Sequence, residues 1–226
     1  VACVIAIGVL ATRLAGHRRP TALTLIVLNP LVLIHLVSGA HLEAAMGVLL
    51  IDQDGVLADF EQGLFDAFSA WHPCGPSITP VDRRGFYARE QYPEKWRPAV
   101  NALMRVEGFY RDLPEIEGAP AALEAMRAAG HTVFVCTSPL SNAPWCVPEK
   151  LAWIEQHLGQ DWVDRTIIAK DKTLVGDRLQ PCILVDDRPD ASARGVASPP
   201  WAHVLFDAPY NQGEPGPRLS HWVDWS

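Results

Sequence analysis

Along the chain, short apolar runs alternate with longer amphipathic stretches. Val48–Ile51, the run opening VFVCTSP at Val133, Thr166–Ala169, the run opening ILVDD at Ile183, and Ala202–Phe206 are apolar on consecutive positions. That pattern fits strands buried on both faces of a sheet, where alternation is lost. Helix-length segments lie between them: Ala119–Ala129 closed by Gly130, and Pro148–Leu158 stopped by Gly159. Helices of this length between apolar strands require right-handed crossovers. The predicted class is therefore α/β, a parallel sheet of about five strands with helices on both faces.

Two regions depart from this alternation. From Glu61 to about Glu117 the pattern is helical and broken by prolines at 73, 76, 80, 93, 98 and 114. Phe65, Phe68 and Trp71 recur at three-residue spacing there and are expected to pack as one helix face. Residues 1–45 are different again. Val1–Ala15 is apolar apart from Thr12 and Arg13, a basic turn carries His17, Arg18 and Arg19, and Thr21–Val37 is apolar at nearly bilayer-spanning length. No signal-peptide cleavage pattern follows, and His35 and His41 read as polar positions in a helix bundle rather than as ligands. The expected division is an apolar N-terminal segment at 1–45, a core at 46–62 and 118–226, and a helical cap at 63–117 inserted after the first strand.

Charge and cysteine usage narrow the function. A net charge of -7 gives no general attraction for polyanions, so a nucleic-acid polymer is not an expected partner. The five cysteines include no C-x-x-C pair and are odd in number, which suits a reducing compartment and argues against a disulfide scaffold or a zinc site. A cytoplasmic location is expected, with membrane association through residues 1–40 as the alternative. The basic turn between the two apolar runs would stay in the cytoplasm and point both ends outward, exporting a domain with unpaired thiols. Residues 1–45 are accordingly expected to be dispensable, with Met46 the functional start.

The chemistry sits where the apolar runs stop. The first ends at Asp52, followed by Asp54 and the turn-permitting Gly55; the C-terminal edge of an open α/β sheet is where ligands bind. Two acids on one loop repel unless they share a cation, and an oxygen-only site completed by phosphate suits Mg²⁺. The second run ends in Thr137 and Ser138. Lys172 lies just beyond the third, and the fourth is broken by Asp186 and Asp187. Each strand end thus supplies one part: nucleophile and acid, hydroxyl, ammonium, metal carboxylate. No G-x-S-x-G elbow and no G-x-x-x-x-G-K loop is present.

In that order the four motifs resemble those of the haloacid dehalogenase superfamily. DQDGVLADFE, DRRGFYAREQY, VCTSP, PEKLAWIE, AKDKT, VDDRPD, HVLFDAPYNQ and HWVDW resemble the 5'(3')-deoxyribonucleotidases, over residues 47 to 226. Gln53 departs from the family, standing where an apolar residue is usual, and a few extra residues around Asp177–Pro181 precede the acidic pair. The segment from Asn29 to Met46 resembles a membrane-embedded stretch of polytopic mannosyltransferases.

The resemblance implies a Rossmannoid core with a small helical cap and a Mg²⁺-dependent phosphomonoesterase acting on pyrimidine deoxynucleoside monophosphates. Asp52 would be the nucleophile and Asp54 the acid and base. Mg²⁺ would be held by the Asp52 side chain, the Asp54 backbone carbonyl and Asp187. Thr137, Ser138 and Lys172 would hold phosphate, and Lys172 is preferred over Lys150 for the lysine role because Lys150 falls in a predicted first helical turn and AKDKT matches the family. Asp186 and Arg188 would brace the loop. Phe60, Phe86 and Tyr87 would line the nucleoside, the Ala88 backbone would read the base edge, and Met104 matches a base-contacting position. A homodimer is left open. The alternatives are a phosphatase of another small ester, a phosphoacceptor domain, which should lack the second acid of D-x-D, and a membrane glycosyltransferase fragment.

Overall fold

The computed structural model describes residues 47–189 and 199–225. The expectations for residues 1–45 lie outside them. Among the described residues no helix is long and apolar enough to cross a membrane.

In chain order the elements are β1 (Val48–Ile51), α1 (Phe60–Trp71), α2 (Arg97–Leu103), α3 (Ala119–Ala128), β2 (Thr132–Thr137), α4 (Cys146–Leu158), α5 (Gln160–Val163), β3 (Thr166–Ile168), α6 (Thr173–Gly176), β4 (Cys182–Asp186), β5 (Trp201–Phe206) and β6 (Arg218–Leu219). Short 3₁₀ turns join α1 to α2 and follow β5. The sheet runs β3-β2-β1-β4-β5-β6 with every pair parallel. It has six strands rather than about five, because β6 is two residues long and too short to carry a periodic signal.

β1 lies between β2 and β4, with Ile51 opposite both Val135 and Val185. That register brings Asp52, Thr137 and Asp186 to one sheet edge. Alternate residues feed opposite faces. Leu49, Ile51, Val133 and Val185 join the large core that also receives Leu123 of α3 and Trp153 of α4, whereas Leu50, Cys136, Leu184 and Trp201 form a smaller cluster against Val175 and Leu179.

Between β1 and α3 the chain makes a helical layer above that edge. α1 starts at Asp59, whose side chain accepts from Gln62 N at 3.0 Å. Leu64 and Phe68 are buried, but Trp71 is 62 % exposed, so the expected three-aromatic face is not the packing face. Phe68 instead meets Tyr92 and Trp96, with ring centroids 4.6 and 5.7 Å apart. The layer is tied to the core from α4, where buried Glu149 accepts from Gly108 N and Tyr110 N, and Trp153 Nε1 donates to Leu113 O at 2.8 Å.

Candidate active site

The loop after β1 is shaped by its own backbone. Gln53 O accepts from the N–H groups of Val56, Leu57 and Ala58, and Gly55 takes φ +75, a region L-residues avoid. A Cβ on Gly55 would stand 2.6 Å from Asp187 Oδ2, so the tight approach of this loop to Asp187 also demands glycine. The unusual Gln53 is buried and donates to Lys150 O at 3.2 Å, giving a polar side chain a partner on α4 at an otherwise apolar position.

Asp52, Asp54, Phe60, Phe86, Tyr87, Ala88, Thr137, Ser138, Lys172 and Asp187 all line one cavity of about 420 Å³, as does Met104. This lies within the usual size of a small-molecule site. Two lysines organise its floor. Lys172 Nζ is 2.8 Å from Asp52 Oδ1 and 2.7 Å from Asp186 Oδ2. Lys150 Nζ is 2.7 Å from Asp54 Oδ2 and 2.7 Å from Thr137 Oγ1. The sequence pattern places Lys150 in the first turn of a helix beginning at Pro148. α4 starts at Cys146, which places Lys150 a full turn in, 1 % exposed and aimed at the site. The Ser138 hydroxyl donates to Ala169 O at 3.0 Å, so this side chain is already engaged with the loop that carries Lys172.

Asp52, Asp186 and Asp187 each offer a carboxylate oxygen, the three lying within 4.8 Å of one another. Burial pushes the Asp52 carboxyl up to about 6, against the pull of Lys172 and with a further push from Asp186. Asp187 is raised well above the carboxylate range by burial, then by Asp186 and Asp52, while a hydrogen bond from Tyr210 acts the other way. Burial disfavours the Lys172 ammonium, but Asp186 and Asp52 outweigh it and hold the amine above its ordinary value. Crowded, dehydrated carboxylates of this kind fit a hard divalent cation. Two buried oxygens, Asp52 Oδ1 and Asp54 Oδ1, have no hydrogen bond, although the Lys172 charge is close to the first. Asp186 has both oxygens engaged, by Lys172 Nζ and by Arg188 N at 2.9 Å, which suits bracing more than coordination.

Above the floor the lining becomes aromatic. Phe60 packs edge-on against Phe109 at 5.7 Å, and Phe86 against Tyr87 and Tyr210 at 5.4 and 6.0 Å. Arg188 braces more than its own loop: its guanidinium lies 5.0 Å from the Phe86 ring and donates to Tyr87 Oη at 3.2 Å. Tyr210, Tyr110, Glu61 and Arg83 were not singled out in the sequence. Tyr110 and Tyr210 lie in mixed loop stretches, FYRD and APYNQ, that follow neither strand nor helix period, and a buried Arg83 cannot be told from its exposed neighbour Arg84 by pattern.

The family model for 5' nucleotidase, deoxy (pyrimidine), cytosolic type C protein matches residues 46–225. A model for the N-terminal domain of alpha-(1->6)-mannopyranosyltransferase matches residues 1–64. The chain is 42% identical over 186 residues to a cytosolic-type 5'(3')-deoxyribonucleotidase of Homo sapiens, covering 78% of this chain and 89% of that protein. It is 39% identical over 185 residues to the human mitochondrial 5'(3')-deoxyribonucleotidase, covering 78% of each. Among solved structures, a haloacid dehalogenase-like hydrolase from Streptococcus pneumoniae superposes with TM-score 0.52 at 11% identity, covering 79% of this chain and 95% of its own; the likeness is one of fold.

Proposed function

The chain belongs to the 5' nucleotidase, deoxy (pyrimidine), cytosolic type C family of hydrolases, and from that premise we propose that it dephosphorylates pyrimidine deoxynucleoside 5'-monophosphates in the cytoplasm, with Mg²⁺ and a phosphorylated Asp52. The observation that carries this reading is the stacking of two environments in one cavity, a carboxylate and lysine floor under an aromatic roof.

Phosphate hydrolysis must bring a nucleophile to a dianion and release an alkoxide. Asp52 and Asp187, with the Asp54 carbonyl, would hold Mg²⁺, which offsets phosphate charge when bound. Asp52 attacks phosphorus with its carboxylate, splitting one hard displacement into two. Asp54 gives its proton to the leaving 5'-oxygen, then takes one from the water that releases phosphate from Asp52. Lys172 lies beside Asp52, and Thr137 shares the Lys150 ammonium with Asp54; Lys172 and Thr137 would meet phosphate oxygens as charge develops. Asp54 is what a phosphoacceptor domain would lack, so its presence in the cavity favours turnover. The cap, residues 63–117, excludes water and offers Phe86 and Tyr87 to the base. It is also the reason to prefer a nucleotide over a smaller ester.

A panel of nucleoside monophosphates and sugar phosphates with and without Mg²⁺ tests this. Phosphate release is expected from pyrimidine deoxynucleotides, lost on chelation. Faster release from sugar phosphates would overturn the substrate class, and full activity in chelator would overturn the metal.

A further inference from the structure

One buried charge plays no part in that chemistry. Arg83 is 2 % exposed although it sits in the charged loop DRRG, and it does not line the cavity. Its Nη1 pairs with Glu61 of α1. Its Nη2 donates to Gly85 O at 3.1 Å and Phe86 O at 2.9 Å. Its plane lies 5.2 Å from the centre of the Tyr210 ring. A buried ion pair is weak as a source of stability, since well-packed apolar residues often do as well. What a guanidinium adds is a rigid fork. One arm is fixed by Glu61 in the first turn of α1, and the other grips two successive carbonyls just where Phe86 and Tyr87 enter the cavity.

Tyr210 extends the connection. The same ring that Arg83 covers meets Phe86 at 6.0 Å, and its hydroxyl donates to Asp187. We propose that Arg83 is a positioning residue for the nucleoside end of the site: by anchoring Gly85 O and Phe86 O, it aims Phe86 and Tyr87 at the base and ties that loop, through Tyr210, to the carboxylate floor. The proposal rests on the nucleotidase reading. It requires Arg83 to govern nucleotide binding while leaving the phosphate chemistry alone.

Steady-state kinetics of the full chain with dUMP and with 4-nitrophenyl phosphate, in Mg²⁺, separate these. Arg83→Lys keeps the charge opposite Glu61 but cannot span the carboxylate and both carbonyls. It is expected to raise KM for dUMP about tenfold, the loss of one stacking contact, with kcat and the aryl phosphate within about twofold. Arg83→Met leaves Glu61 buried without a partner and is the variant most prone to misfolding. Arg83→Met/Glu61→Gln removes both charges and is expected to show the same KM-only change. Unaltered KM for dUMP in Arg83→Lys and in the double variant, or parallel losses on both substrates, would overturn the role of Arg83. If the unaltered chain hydrolyses neither substrate, the phosphatase reading falls and takes this role with it; if it hydrolyses only the aryl phosphate, the nucleotide reading alone fails and Arg83 loses its assigned ligand.

Discussion

The floor and the roof of the cavity are built by different means. The floor is set by the sheet: three adjacent parallel strands end at the same level, so Asp52, Thr137 and Asp186 converge through backbone register. The roof has no such frame. Residues 83–87 are an irregular loop between two 3₁₀ turns whose position depends on side chains, with Arg83 behind it and Arg188 on the cavity side. On the proposed function, floor residues would act on chemistry with little tolerance, while roof residues would act on recognition and could drift without stopping the reaction. That difference sets the order of the expected effects.

The largest is at the floor. Asp52→Asn keeps side-chain shape but removes the proposed nucleophile, and turnover of every phosphate ester should fall by at least about 1000-fold with the circular dichroism spectrum unchanged. Residual activity near the unaltered level would remove Asp52 from that role. Next comes the pair proposed to serve the leaving group. Asp54→Asn, or Lys150→Met, which releases both Asp54 and Thr137, should lower kcat for nucleotides by about 100-fold or more. Aryl phosphates, whose leaving group needs no proton, should lose less; equal losses would show that Asp54 is not the acid.

At the roof, Phe86→Ala or Tyr87→Ala should weaken nucleotide processing by about tenfold, matching roughly 1–3 kcal/mol for a base stacked on a ring. Turnover of 4-nitrophenyl phosphate should stay level. If it falls in step, the rings are packing groups and the contrast between floor and roof collapses.

The smallest effect is on stability. The folded chain holds the Asp52 proton up to about pH 6, against an ordinary value of 3.8, so folded protein binds more protons than unfolded across that interval. Its contribution is complete below about 4 and is lost as pH rises through 6. Burial likewise pushes Glu61 up to about 7 from 4.5 despite Arg83, with the same sign. If Asp52 holds Mg²⁺ as proposed, protons would compete with the ion, so Mg²⁺ should raise Tm by a few degrees at pH 7.5 and by less at pH 5. A shift independent of pH would mean the ion binds elsewhere.

How much of this was legible before folding follows the same division. The strand ends announced themselves because a buried parallel strand is a run of apolar residues with an abrupt polar stop, so Asp52, Thr137, Lys172 and Asp187 could be placed on one edge. The α/β class and helical layer followed from the same periodicity. The depth of Lys150 was not legible, because its helix starts two residues earlier than the pattern indicates. Trp71 fell on the expected face but is exposed, since α1 buries the stripe of Leu64 and Phe68. Tyr210 and Arg83 were invisible because their partners, Asp187 and Glu61, are brought to them only by tertiary packing.

The central place of β1 also bears on the order in which the chain can be assembled. Synthesis delivers Val48–Ile51 first, yet the strands that flank it begin at residues 132 and 182. Until the ribosome has released both, this apolar ribbon keeps at least one open edge, a state prone to pair with another chain. A ribosome stalled between α3 and β4 would therefore carry Asp52 and Asp54 on a nascent strand with at most one neighbour. Chaperone occupancy during translation should peak over that interval and fall once β4 emerges.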